Sequence, residues 1–158
     1  MAAPDTFAIM QQIQMLIQGL SPQPYTTIGL EMVKDWTDID PVCEIAWAED
    51  MSEHFTAGGQ IEDTQGFRIT SAVCYTKGRT PAAAVQLLCA CRDAVIPLFQ
   101  QHAYLADTLG ALGVYDSRVK PASNRLAVVE DAGEKYIVHE FIVEVLSTYT
   151  VPIGTQGI

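Results

Sequence analysis

The last long segment of the chain, Tyr136 to Val151, reads YIVHEFIVEVLSTYTV, and its alternation predicts a β-strand. Ile137, Phe141, Val143, Val145, Tyr149 and Val151 share one side, interrupted by His139 and Ser147, while Glu140 and Glu144 fall on the other. At about 3.3 Å per residue such a strand runs about 50 Å, well past the usual length of about five or six residues. The even side also carries Val138, Ile142 and Leu146, so part of it is expected to meet another surface, in particular another copy of the chain.

Upstream the period changes. Asp5 is placed to cap a helix reaching about Leu20, with Phe7, Met10, Ile13 and Ile17 at helical spacing and Gly19 with SPQP as the stop. Tyr25 to Trp36 alternates as a strand, and Val42 to Ala48 follows as a second, with Cys43, Ile45 and Trp47 on one side. Phe67 to Tyr75 is a third, with Phe67, Ile69, Val73 and Tyr75 together. Thr80-Pro81 opens a second helix whose buried stripe is Ala84, Leu88, Cys91, Val95 and Leu98, with a bend expected at Pro97. Leu105 to Gly113 passes from helix to loop. Val114 to Val119 and Asn124 to Val129 are short strands around KPAS, and EDAGE turns into the long final strand.

Between the second and third strands lies Glu49 to Gly66, EDMSEHFTAGGQIEDTQG, read as a long, irregular acidic loop that extends a hairpin and carries the apolar residues Phe55 and Ile61. The order α-β-β-β-α-β-β(-β) predicts one α+β domain over residues 1–158: a largely antiparallel sheet with two main helices on one face. No repeat or second domain boundary is visible.

Charge narrows the possible functions. The net charge is −10, and from Glu31 to Asp63 the acids Glu31, Asp35, Asp38, Asp40, Glu44, Glu49, Asp50, Glu53, Glu62 and Asp63 face a single base, Lys34. That half repels phosphate, so a dedicated nucleic-acid binder is not expected. A solvated acidic face serving solubility is the plain alternative. No run approaches a membrane span of about 18 apolar residues, and no basic-then-apolar start marks export, so synthesis in the cytoplasm is expected. Cys43, Cys74, Cys89 and Cys91 lack CxxC or paired-His spacing and read as reduced thiols.

Catalytic constellations are not evident. Gly58-Gly59 has no following Lys, and GALG at 110–113 follows no strand that opens a helix, so neither is a nucleotide loop. His54 beside Glu53 has the chemistry of a general base, but a solvated loop pair is the ordinary case. His139 reads as a hydrogen-bonded core or interface residue, and His102 as a cation at a helix C-terminus. Glu53, His54, Glu62 and Asp63 lack the alternating oxygen spacing of a calcium loop. No catalytic, cofactor or metal residue is assigned, and no enzymatic activity is expected. Arg118, Lys120 and Arg125 form the one basic cluster of the second half; facing the acidic half of another copy, they would steer head-to-tail association.

The element order, the extended hairpin, the Thr-Pro-capped helix and the closing strand ending TYTVPIG resemble the tail terminator, or tail completion, proteins of long-tailed bacteriophages, over nearly the whole length from Phe7 to Val151. The resemblance implies a structural virion protein of the tail and neck that assembles in the host cytoplasm. Its homo-oligomer would be a hexameric ring that caps the tail tube, ends tube polymerisation and joins the tail to a head-completion or connector protein. DNA would pass through without specific binding. On that reading Glu49, Asp50, Glu53, Glu62 and Asp63 line a channel or face a partner, Arg118, Lys120, Arg125, Ile142 and Leu146 serve intersubunit contacts, and 152–158 is an arm. Alternatives are another neck or tail component, such as a head-completion or tail tube protein, a small hot-dog-type enzyme, or an acidic mimic of nucleic acid.

Overall fold

The computed structural model describes residues 5–30, 36, 39–54, 59–107 and 110–150, without the side chains of 51–54. Helix α1 (Thr6–Gln18) begins where Asp5 accepts a hydrogen bond from the Ala8 amide at 3.0 Å, and it buries Ile9, Met10, Ile13 and Ile17. Burying side chains of this size contributes about 1.5–3 kcal/mol each, so this stripe, more than intrinsic propensity, holds the helix. Strand β1 (Thr27–Leu30) falls inside the predicted Tyr25–Trp36 run, of which 31–35 lie outside the described residues.

β2 (Val42–His54) and β3 (Gln60–Cys74) overturn the irregular loop. Their ladder continues from Glu49↔Gly66 through Asp50↔Gln65, Ser52↔Asp63 and Glu53↔Glu62 to His54↔Ile61, so most of the acidic segment is paired strand. Phe55 lies outside the described residues. A register shift between Trp47 and Glu49 changes which β2 residues share a face with β3.

Thr80 caps α2 (Pro81–Gln101) by accepting from the Ala83 amide at 3.1 Å. The predicted stripe is buried, joined by Phe99, and the helix continues through Pro97. By length and mean hydropathy α2 qualifies as a membrane span, but its stripe packs on the sheet and the exposed Arg92–Asp93 pair sits near its middle. His102 closes it, donating its amide to the Leu98 carbonyl at 2.8 Å.

β4 (Val114–Val119), β5 (Arg125–Asp131) and β6 (Glu134–Thr150) complete a six-stranded sheet ordered β1-β2-β3-β6-β4, with β5 also paired to β6. The length of β6 now has a cause. One edge pairs with β3 from Tyr136 to Thr150, while the other is shared end to end by β5 (Glu134 to Glu140) and β4 (Val143 to Ser147). All described pairings are antiparallel except β1 with β2. This is an α+β fold with both helices on one face.

The core lies between that face and the helices: Phe67, Ile69, Phe141, Val143 and Val145 meet Ile9, Ile13, Cys91, Val95 and Phe99. Among the described residues the opposite face is covered at one end, where Trp36 packs edge-on against Tyr136 at 5.2 Å over Ala72, Cys74 and Val138. Asp40 holds that corner. Its carboxylate accepts from the Cys74 amide at 2.9 Å and pairs with Arg79.

Candidate assembly surfaces

The helix-free face of the sheet is strapped by charge. Register sets Arg118 opposite Glu144 and Arg125 opposite Glu140, with ion-pair distances of 3.3 and 3.4 Å, and Arg68 approaches Glu140 at 3.9 Å. Opposite charges on one rung are the favourable cross-strand arrangement. Lys120, at the end of β4, reaches Glu49 on β2 at 2.8 Å, passing over β6 and β3. The turn that aims it is pinned: Lys120 donates its amide to the Ile142 carbonyl at 2.8 Å, and Ser123 Oγ accepts from the Ile142 amide at 3.1 Å.

Thus Arg118, Lys120 and Arg125, expected to be offered to a neighbour, each pair with a carboxylate of their own chain. Ile142 is half-buried on this face, and Leu146 is buried. Leu146 therefore offers little apolar surface, with Thr64 and Asp116 as its partners on the adjoining strands.

The five acids grouped by sequence do not share a surface. Glu49 is engaged by Lys120, Asp50 is exposed, and Asp63 is buried at 1 % exposure. The strand pleat is the reason: Asp50 and Asp63 sit at positions opposite in face to Glu49 and Glu62. Glu62 hydrogen-bonds the Tyr115 hydroxyl, whose pKa is pushed up to about 12 by burial first and by Glu62 second. The side chains of Glu53 and His54 and the arm 152–158 lie outside the described residues.

Two apolar surfaces that pattern reading missed lie at opposite edges of the sheet, both on the helix side. At one edge the outer side of α2 and the exposed strand β5 leave a groove between Val85, Leu88, Cys89, Leu126 and Val128, in two adjoining sections of about 350 and 460 Å³. Leu126 and Val128 are 77 % and 62 % exposed. They alternate with Arg125 and Ala127 as core residues would, but among the described residues no helix reaches over them. Arg92, Arg125 and Asn124 border the groove, and His139 lies at its floor. His139 Nε2 donates to Asn124 Oδ1 at 2.9 Å, while buried Nδ1 has no hydrogen-bond partner among the described residues. Its pKa is lowered, first by burial and then by the Arg92 charge, against a smaller opposing effect of Glu140.

At the other edge stands Trp47. It shares a side with Cys43 and Ile45, as the alternation places it, on the rung with Phe67, yet it is 48 % exposed, two residues beyond the last described β1–β2 rung, Leu30↔Ile45. Phe7 on α1 is 58 % exposed, and the start of that helix is tied to β3, where Thr6 Oγ1 accepts from Gln65 Nε2 at 2.7 Å.

Cys43, Cys74 and Cys91 are buried and Cys89 is exposed, all as free thiols. Tyr25 and Ser71 share a buried 2.6 Å hydrogen bond beside Cys43, whose thiol pKa is raised by burial. Among the described residues no group of three or more His, Cys, Asp or Glu side chains is arranged to hold a metal. Neither a protein-family model nor a curated protein matches this chain.

Proposed function

We propose that this protein is a structural component of a long-tailed bacteriophage, a ring that caps the tail tube, ends its polymerisation and joins the tail to the head connector. The observation that carries this reading is the helix-free sheet face, a broad surface held by intramolecular ion pairs. Its cations Arg68, Arg118, Lys120 and Arg125 are each offset by Glu140, Glu144 or Glu49. A phosphate backbone draws its affinity from cations that it neutralises, and cations already paired offer little of that gain. Together with the net charge of −10, such a face suits a passage through which DNA slides without being held. The element order and the closing strand support the same assignment.

Solution mass and electron microscopy of the purified protein, alone and with tail tubes, test it. Rings, and density at tube ends, are the expected result. A protein that stays monomeric at high concentration and never decorates tube ends overturns the proposal.

A further inference from the structure

We propose that the groove between α2 and β5 is a binding site for an uncharged, largely apolar small molecule that carries one hydrogen-bond donor, an alcohol, phenol or N–H group received by His139. The site lies within a single chain and stands whether or not the ring forms.

Three observations carry it. First, the groove has the size and lining of a small-molecule cleft. Its two sections, of about 350 and 460 Å³, share Leu88, Cys89 and Leu126, and each falls within the range of about 300–1,000 Å³ that such ligands occupy. Val85, Val128 and Ile137 line the second section, whereas Asn124 and His139 belong to the first. An elongated ligand therefore fits with its apolar body in one section and its polar group in the other. Second, the two charged side chains that border the groove are already engaged. Arg92 pairs with Asp93 at 3.0 Å and Arg125 with Glu140 at 3.4 Å, both within the chain. An anionic ligand would have to displace one of these pairs, and a cationic ligand would meet two guanidinium groups; a neutral one does neither. Third, the floor holds an acceptor. His139 is 4 % exposed and gives its Nε2 hydrogen to Asn124 Oδ1 at 2.9 Å, so Nδ1 carries a lone pair, with no hydrogen-bond partner among the described residues. A buried acceptor left unsatisfied is costly, and a donor on the ligand relieves it. The lowered pKa of the imidazole agrees, since it keeps Nδ1 unprotonated at neutral pH.

Fluorescence titration of the full chain with N-phenyl-1-naphthylamine tests the site. This probe is uncharged and apolar, carries a single N–H, and brightens in apolar surroundings. Saturable binding is expected, weakened about tenfold or more in Leu126→Asp, which sets a charge in the apolar wall, and abolished by alkylating Cys89 with a maleimide. Leu126 is 77 % exposed, so that variant is expected to fold, and the Cys89 adduct of the wild type provides the block without any substitution. The N-methylated probe has no donor. It should bind about three- to tenfold more weakly, and only the N–H probe should move the His139 Nδ1 resonance in nitrogen NMR. Absence of saturable binding overturns the proposal, as does binding that survives both Leu126→Asp and the Cys89 adduct. Equal binding of the two probes with an unmoved His139 resonance overturns the role of His139 and with it the class of ligand. Sedimentation at saturating probe reports a competing occupant: a mass that falls as the probe binds would seat a second copy in the groove and overturn the small-molecule site.

Discussion

Lys120 and Glu49 meet at 2.8 Å across four strands of the sheet, and the contact depends on the residue between them having no side chain. A Cβ on Gly66 would lie 2.9 Å from Glu49 Cβ, 3.2 Å from Glu49 Oε2 and 3.1 Å from Ile142 Cγ2. Gly66 is therefore a close-approach glycine within a strand, where the missing side chain lets Glu49 and Ile142 close over the backbone.

Replacing Gly66 with Ala should destabilise the fold by about 1–3 kcal/mol, the usual cost of forced overpacking, despite the better strand propensity of Ala. The Cβ of Glu49 is fixed to its backbone and cannot rotate away. The penalty should therefore shrink in a Glu49→Gly background, and a urea-denaturation double-mutant cycle would show coupling between the two positions. Simple additivity would mean that the sheet relaxes locally at no cost.

The ion pair itself is partly solvated, so its contribution should be small and screened by salt. Its hydrogen bond to Glu49 raises the Lys120 pKa above the ordinary 10.5. Stability from this source is present below about pH 10.5 and is lost as pH rises through the raised value. A cycle of Lys120→Met and Glu49→Gln should give a coupling that decreases from low to high salt and disappears at strongly alkaline pH. Coupling independent of salt would argue for packing as its source.

The elements with one apolar face were legible in the sequence because burial requires periodicity: the α2 stripe, the β4 boundaries and the Asp5 and Thr80 caps all follow from local residues. Residues 49–54 and 60–66 read as loop because both their faces are polar, and what makes them strand is pairing: 49–54 with β3, and 60–66 with β6, which lies 78 residues along the chain at Gly66↔Glu144 and 90 at Gln60↔Thr150. Their buried polar positions, Asp63 and Gln65, have no local signature either, since the partner of Gln65 is Thr6 at the other end of the domain. Trp47 does lie on the side of Cys43 and Ile45, but alternation does not report how exposed a position on that side is. The partners of Arg118, Lys120 and Arg125 are set by register, and spacing along the chain does not show that they are already engaged.

Thiol chemistry should separate the four cysteines. Cys89 should react with a thiol reagent at pH 8 at the rate of an exposed thiol, while Cys43, Cys74 and Cys91 wait on unfolding. Burial pushes the Cys91 thiol up to about 12 from 9.0. The unfolded chain thus releases this proton first, and stability should fall from about pH 9 toward 12, by up to about 1.4 kcal/mol per pH unit for such a group. Urea midpoints between pH 8 and 10.5 should fall more steeply for the wild type than for Cys91→Ala. Equal slopes would assign alkaline sensitivity to other groups, and rapid labelling of a second cysteine would show that the core opens locally.

His139 predicts the opposite pH dependence. Its Nε2 is committed to Asn124, and a proton added at buried Nδ1 would find no acceptor and would face Arg92. The folded pKa is accordingly below the ordinary 6.5, so the unfolded chain takes up the proton first as pH falls. The neutral-histidine contribution is complete above about pH 6.5 and is lost below it, as pH falls toward the lowered folded value. His139→Gln retains a side-chain donor for Asn124 and removes the titration. It should be less stable than the wild type at pH 7.5, because a shorter fit against Phe141 is lost, and the gap should narrow at pH 5. Urea denaturation at the two pH values measures this directly, and an NMR titration of the imidazole reports the folded pKa. A constant gap, together with an imidazole that titrates at or above 6.5, would mean that the groove floor hydrates enough to accept the charge.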